Sequence, residues 1–150
     1  MGYKLKDSYG LYIDGKFVPA SDGSMFVTTN PANGEKLATC AEATKDDVQK
    51  AVDAAWRAYP KWKAMDPTAR VNILNQIADI IEENKEDLAK IETMDNGKPI
   101  RETMNIDIPV GESHFRYYAS LIETETGQAK ILDNGIISLV LREPIGVVGQ

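Results

Sequence analysis

The stretch Glu143-Pro144-Ile145-Gly146-Val147-Val148-Gly149-Gln150 sets a proline break ahead of an apolar run, and its reading decides the fold class. An apolar run this short, bounded by proline and glycine, reads as a buried strand. A strand buried on both faces belongs to a largely parallel sheet covered by helices, which makes the chain α/β. Such a strand is normally followed by a turn and a covering helix, so further chain beyond Gln150 is expected.

Working back from that stretch, Ala129 to Leu132, the Asp133-Asn134-Gly135 turn and Ile136 to Leu141 read as a hairpin. Four helical patterns precede it. Thr44, followed by Asp46 and Asp47, caps the first, with Val48, Ala51, Val52 and Ala55 as its apolar stripe and Pro60 as its end. Asp66-Pro67 opens the second, whose stripe is Val71, Leu74, Ile77, Ala78 and Ile81. The third runs from about Lys85 to a left-handed stop at Asn96-Gly97. The fourth restarts at Pro99, must kink near Pro109, and continues through Phe115, Tyr118, Ala119 and Ile122 to a Gly127 stop. Val48, Val52, Leu74, Ile77, Ile81, Leu88 and Phe115 are expected to be buried, and Trp56 and Trp62 to anchor the end of the first helix on the core. Ahead of the helices stand two small hairpins. The first turns at Asp14-Gly15; the second joins 25–29 to the run around Leu37-Ala38-Thr39-Cys40.

Composition narrows the function. The 150 residues hold 17 Lys plus Arg against 23 Asp plus Glu, a net charge of −6, with 43% hydrophobic and 27% charged residues. These fractions suit a globular protein and exclude a disordered one. Acidic charge without a basic run excludes nucleic acid and anionic membrane as partners. The one cysteine, Cys40, excludes a disulfide framework and a cysteine zinc site. The opening residues, interrupted by Lys4, Lys6 and Asp7, contain no apolar signal core, and no apolar stretch approaches a membrane span. A cytoplasmic chain is expected.

No complete active site is legible. His114, the only histidine, reads as part of a packed helix because no nucleophile or orienting carboxylate accompanies it. Cys40 falls in a strand without the cationic neighbour or helix start that activates a thiol, so it is rejected as a nucleophile. Gly146-Val147-Val148-Gly149 lacks the third glycine and following helix of a dinucleotide fingerprint. Asp46, Asp47, Glu82, Glu83, Glu86 and Asp87 read as solvated carboxylates that complement helix dipoles.

Four motifs nevertheless carry a resemblance. Leu141-Arg142 with Glu143 to Gln150, Met94-Asp95-Asn96-Gly97-Lys98-Pro99, Thr29-Asn30-Pro31-Ala32-Asn33-Gly34-Glu35 and Tyr12-Ile13-Asp14-Gly15-Lys16-Phe17-Val18 resemble the aldehyde dehydrogenase superfamily. They stand in the family's order and span essentially the whole chain. The resemblance implies NAD- or NADP-dependent oxidation of an aldehyde to a carboxylic acid. A cysteine thiolate forms a thiohemiacetal and then a thioester, and a glutamate-activated water releases the acid. The family's catalytic cysteine, glutamate and oxyanion-holding asparagine, and its cofactor loop, all fall beyond Gln150. No catalytic or cofactor-binding residue is therefore assigned here, and the isolated chain is expected to be inactive.

The resemblance further implies that residues 1–126 form the first segment of the coenzyme-binding domain. Residues 127–143 form an oligomerisation hairpin, and 144–150 start the Rossmann-like nucleotide-binding sheet. A homo-oligomer through hairpin 129–141 follows, as does a monovalent-cation site at Thr28, Thr29 and Asp95. For Asp95 the alternative is a helix-end carboxylate hydrogen-bonded to its surroundings. A reading of another class remains: a non-catalytic interaction module that binds a partner subunit. A reading frame continuing into Pro-Trp-Asn and a distant Gly-Gln-x-Cys would decide for the enzyme.

Overall fold

The computed structural model describes residues 4–150, and the start of the opening segment, residues 1–3, lies outside them. The first hairpin pairs β2 (Leu11–Ile13) with β3 (Lys16–Val18). Asp14 and Gly15 take φ of 53° and 78°, the two positive angles of the expected tight turn. β4 (Met25–Thr29) runs antiparallel to β5 (Lys36–Ala41), as the second hairpin requires. A strand not foreseen, β1 (Ser8–Tyr9), lies parallel to β5 on its other side, so the sheet order is β1-β5-β4. Two residues give no periodicity to read. β1 is held by its place beside Thr39 and Cys40, where the Thr39 amide also reaches the Asp7 carbonyl at 3.0 Å.

Helix α1 (Lys45–Lys63) starts as expected: Thr44 Oγ1 accepts from the Asp47 amide at 3.3 Å and the Asp47 carboxylate accepts from the Thr44 amide at 3.1 Å. Pro60 does not end it. Its missing N–H costs one bond, to the Trp56 carbonyl, and the helix runs on to Lys63, with the Ala64 amide on the Pro60 carbonyl at 3.1 Å. α2 (Pro67–Glu83) is capped by Asp66, which accepts from the Thr68 amide at 2.9 Å. α3 (Lys85–Asn96) stops at Gly97, φ 81°.

The fourth helical pattern is a short α4 (Ile100–Glu102), a π-helical turn Thr103–Asp107, and α5 (Ile108–Thr124). The irregularity expected at Pro109 sits in the turn before it. There the Ile108 amide reaches back five residues to the Thr103 carbonyl, the wider loop of a π-helical turn. α5 ends at Thr124, three residues short of Gly127, where Glu125 turns extended. β6 (Gln128–Ile131) and β7 (Ile137–Val140) complete the last hairpin.

Small residues close the helical layer. Among the described residues, Ala78 of α2, Ala89 of α3 and Ala119 of α5 are essentially inaccessible, and Val71 is buried beside them. Thr103 is fully buried too. Its single proton serves the Ala89 carbonyl (3.1 Å) or the Ile100 carbonyl (3.2 Å), while the Thr93 hydroxyl at 2.8 Å supplies the donor it needs. Arg116 of α5 binds Glu112 on its own helix and reaches Asp79 (3.0 Å) and Glu82 (3.2 Å) of α2. Glu112 first, and then Asp79, raise the guanidinium's already high pKa.

The expected core needs correction. Val48 is 54% exposed, and Val52, Leu74, Ile77, Ile81, Leu88 and Phe115 are half-buried rather than buried. The helices approach through their alanines, so the longer side chains line the rim of each contact. Trp56 and Trp62, 48% and 38% exposed, are not buried as core anchors of α1 either. The largest difference lies at 145–149, which is not a strand: residues 141–150 have no ladder, and Ile145 is 91% exposed. A strand exists through its neighbour's hydrogen bonds, and no described strand lies beside this run.

Candidate functional site

Two of the motifs singled out in the sequence meet in space. The end of β4 brings Thr28 and the following Asn30-Pro31 turn against the end of α3, where Asp95 and Gly97 stand. Thr28 Oγ1 donates to Asp95 Oδ1 at 2.7 Å. Gly97 turns the chain with a positive φ, and a Cβ there would fall 2.8 Å from Pro31 Cγ, so glycine is required both by conformation and by the approach. The Asn96 side chain accepts from the Lys98 amide at 2.8 Å, and Lys98 Nζ then pairs with Asp107 at 2.7 Å. That hydrogen bond is the main reason the Lys98 ammonium holds its proton more tightly than usual.

Of the three expected cation ligands, the fold joins Thr28 and Asp95. Thr29 is exposed and closes β4 opposite Lys36, past a break in register between Thr28 and Thr29. The Asp95 carboxylate, at the end of α3, accepts from Thr28 and also faces a groove of about 580 Å³. One wall of the groove is strand, with Tyr9, Ala38 and Cys40; the other is helix, with Ile80, Leu88 and Ile91. Cys40 is half-buried there and carries no disulfide. His114 is exposed on α5, away from this groove. Among the described residues, no group of three or more His, Cys, Asp or Glu side chains is gathered as a metal centre needs, and no helix is long and apolar enough to cross a membrane.

One carboxylate departs from its expected solvated role. Asp47 is only 3% exposed. Its carboxylate accepts from the Ser21 amide (2.9 Å), the Thr44 amide (3.1 Å), the Thr44 hydroxyl (2.9 Å) and Lys50 Nζ (3.1 Å). The Ser21 amide does most to hold its pKa well below the usual carboxylate range, against a desolvation that acts the other way. The Thr44-x-x-Asp47 spacing signals the capping box, but the link to Ser21, 26 positions away, is visible only in the fold. The arrangement pins the β3–β4 connection to the start of α1.

No described residue sits in a glycine-rich turn that opens a helix around a phosphate. The Gly146–Gly149 run carries no ladder in the structure.

Comparison with known proteins agrees with the motif order. DhaS of Bacillus subtilis (strain 168) is 47% identical over 148 residues, 97% of this chain and 30% of its own length. An acetaldehyde dehydrogenase of Pseudomonas aeruginosa is 46% identical over 146 residues, 97% of this chain and 29% of its own. The NAD+ complex of an aldehyde dehydrogenase from Bacillus cereus superposes with a TM-score of 0.85 at 34% identity, covering 90% of this chain and 28% of that one. The chain thus spans about 30% of the length of the curated relatives it matches. The aldehyde dehydrogenase family profile matches residues 17–150, nearly the whole sequence, and with the α/β fold and its motifs in register the chain belongs to the aldehyde dehydrogenase family.

Proposed function

We propose that this chain is the front part of an NAD-dependent enzyme that oxidises an aldehyde to a carboxylic acid. The observation that carries the reading is the near-complete match of the chain to under a third of each relative's length. NAD is chosen because it is the cofactor bound in the similar Bacillus cereus structure. When bound in the whole enzyme it would accept hydride from the aldehyde carbon. Residues 1–126 would then support the coenzyme-binding domain, 127–143 would reach a second subunit, and 144–150 would enter the nucleotide-binding sheet as a strand once its neighbours are present.

In this reading the chain's own residues position rather than react. The Thr28–Asp95 and Pro31–Gly97 contacts tie the N-terminal sheet to the helical layer. Thr28, Thr29 and Asp95 would hold a monovalent cation there; what supports this is the meeting of Thr28 and Asp95, two hard oxygen donors, at the end of α3, with Thr29 adjacent in sequence. Neither Cys40 nor His114 has the neighbours of an activated nucleophile.

The direct test is turnover. The 150-residue chain, given aldehyde and NAD, is expected to produce no reduced nicotinamide by absorbance. The same chain extended to the relatives' full length is expected to produce it. Turnover by the short chain that disappears in Cys40→Ala would overturn the assignment of catalysis to residues beyond Gln150.

A further inference from the structure

The path of residues 143–147 is held by one face of α1. Trp56, Tyr59 and Lys63 recur at the three- and four-residue spacing that places them on one side of a helix. Tyr59 donates its hydroxyl to the Pro144 carbonyl at 2.9 Å. Lys63 Nζ lies 3.2 Å from Glu143 Oε2, an exposed pair that adds little by itself. Trp56 lies on Gly146 so closely that a Cβ there would fall 2.8 Å from its Cη2 and 3.3 Å from its Cζ3. Gly146 also has φ 114°, which a side chain disfavours, so ring and backbone demand glycine for separate reasons. Trp56 is itself steadied by an edge-to-face contact with Tyr59, ring centroids 5.4 Å apart.

We infer that the Trp56–Tyr59 face of α1 is a clasp that sets the direction in which the chain leaves Pro144. No ladder holds residues 145–149, and among the described residues the Trp56, Tyr59 and Lys63 contacts steer the run. Trp56 and Tyr59 are thereby positioning residues: they act through the path of the backbone and touch no reacting atom. The inference deepens the proposed function, since that reading places the cofactor loop just after this run.

The test reads docking alone, with no cofactor, and so fails independently of the enzymatic reading. In the nuclear magnetic resonance spectrum of the 150-residue chain, the Gly146 α-protons should be shifted upfield by the Trp56 ring and show close contacts to it. Trp56→Leu should remove the shift. Tyr59→Phe keeps the ring and removes only the hydroxyl. It should lower the docked-to-undocked ratio about fivefold, the factor of one net hydrogen bond, with helix content by circular dichroism unchanged. Gly146 signals at random-coil positions in the native chain would overturn the clasp. So would signals that stay put in Tyr59→Phe, a variant that decides the matter even if Trp56→Leu does not fold.

Discussion

The seam between α2, α3 and α5 and the β6/β7 hairpin are built from similar apolar material and end in opposite situations. The seam hides Ala78, Ala89, Ala119 and Thr103 almost completely. In the hairpin every strand residue is exposed, with Ile131, Ile137 and Leu139 each more than half accessible. An apolar residue is stabilised only by what covers it. The seam finds its cover inside the chain; a two-stranded ribbon supplies none and needs a surface from elsewhere.

The largest effect that would break this contrast lies in the seam. Ala78→Leu should destabilise the chain by about 3 kcal/mol, the upper part of the range for overpacking. Urea denaturation followed by circular dichroism measures it. A loss under about 0.5 kcal/mol, the surface range, would show that the helices do not close on that residue.

A smaller effect, confined to acid, concerns the polar counterpart of the seam at Asp47. Its folded pKa is depressed below the ordinary 3.8. Its contribution to stability is therefore complete above 3.8 and is lost as pH falls toward the depressed folded value, because the unfolded chain binds the proton first. The stability gap between the native chain and Asp47→Asn should narrow below that pH. Denaturation midpoints of the two chains that stay parallel through acid would disprove the hydrogen bonds that hold this carboxylate in its charged form.

The smallest effect on folding belongs to the hairpin. Leu139→Lys should change the stability of the single chain by no more than about 0.5 kcal/mol, since its side chain already faces water. It should nonetheless weaken self-association, because a charge on an exposed strand opposes pairing with a second copy. Light scattering across a concentration series reads this. A native chain that stays monomeric at high concentration would detach the hairpin from any role in assembly and sharpen the contrast to one of burial alone.

How far such features can be read without coordinates depends on the range of the interaction. Helix starts at Thr44 and Asp66, the stop at Gly97 and the Asp14-Gly15 turn are written in three or four adjacent residues. Local hydrogen bonds and φ preferences settle them, and they were legible. The reading failed where a distant partner decides. Val48 keeps a helical stripe position but stays 54% exposed. Residues 145–149 have the composition of a buried strand and no strand beside them. Asp47 looks like a solvated helix-start carboxylate until Ser21 closes over it.

The candidate site divides the same way. The order of the motifs around Thr29-Asn30-Pro31 and Asp95-Asn96-Gly97 was enough to suggest the family. The contact between them, through Thr28 to Asp95 and Pro31 to Gly97, exists only because β4 and the end of α3 are brought together across 67 positions. The sequence by itself determined the helix starts at Thr44 and Asp66, the stop at Gly97 and the tight turns, because short-range sterics and hydrogen bonds act within one turn of chain. Only the tertiary structure decided which apolar faces are covered, which carboxylate is buried and where residues 143–147 run. Burial and docking are properties of pairs of surfaces, and a single stretch of sequence carries only one member of each pair.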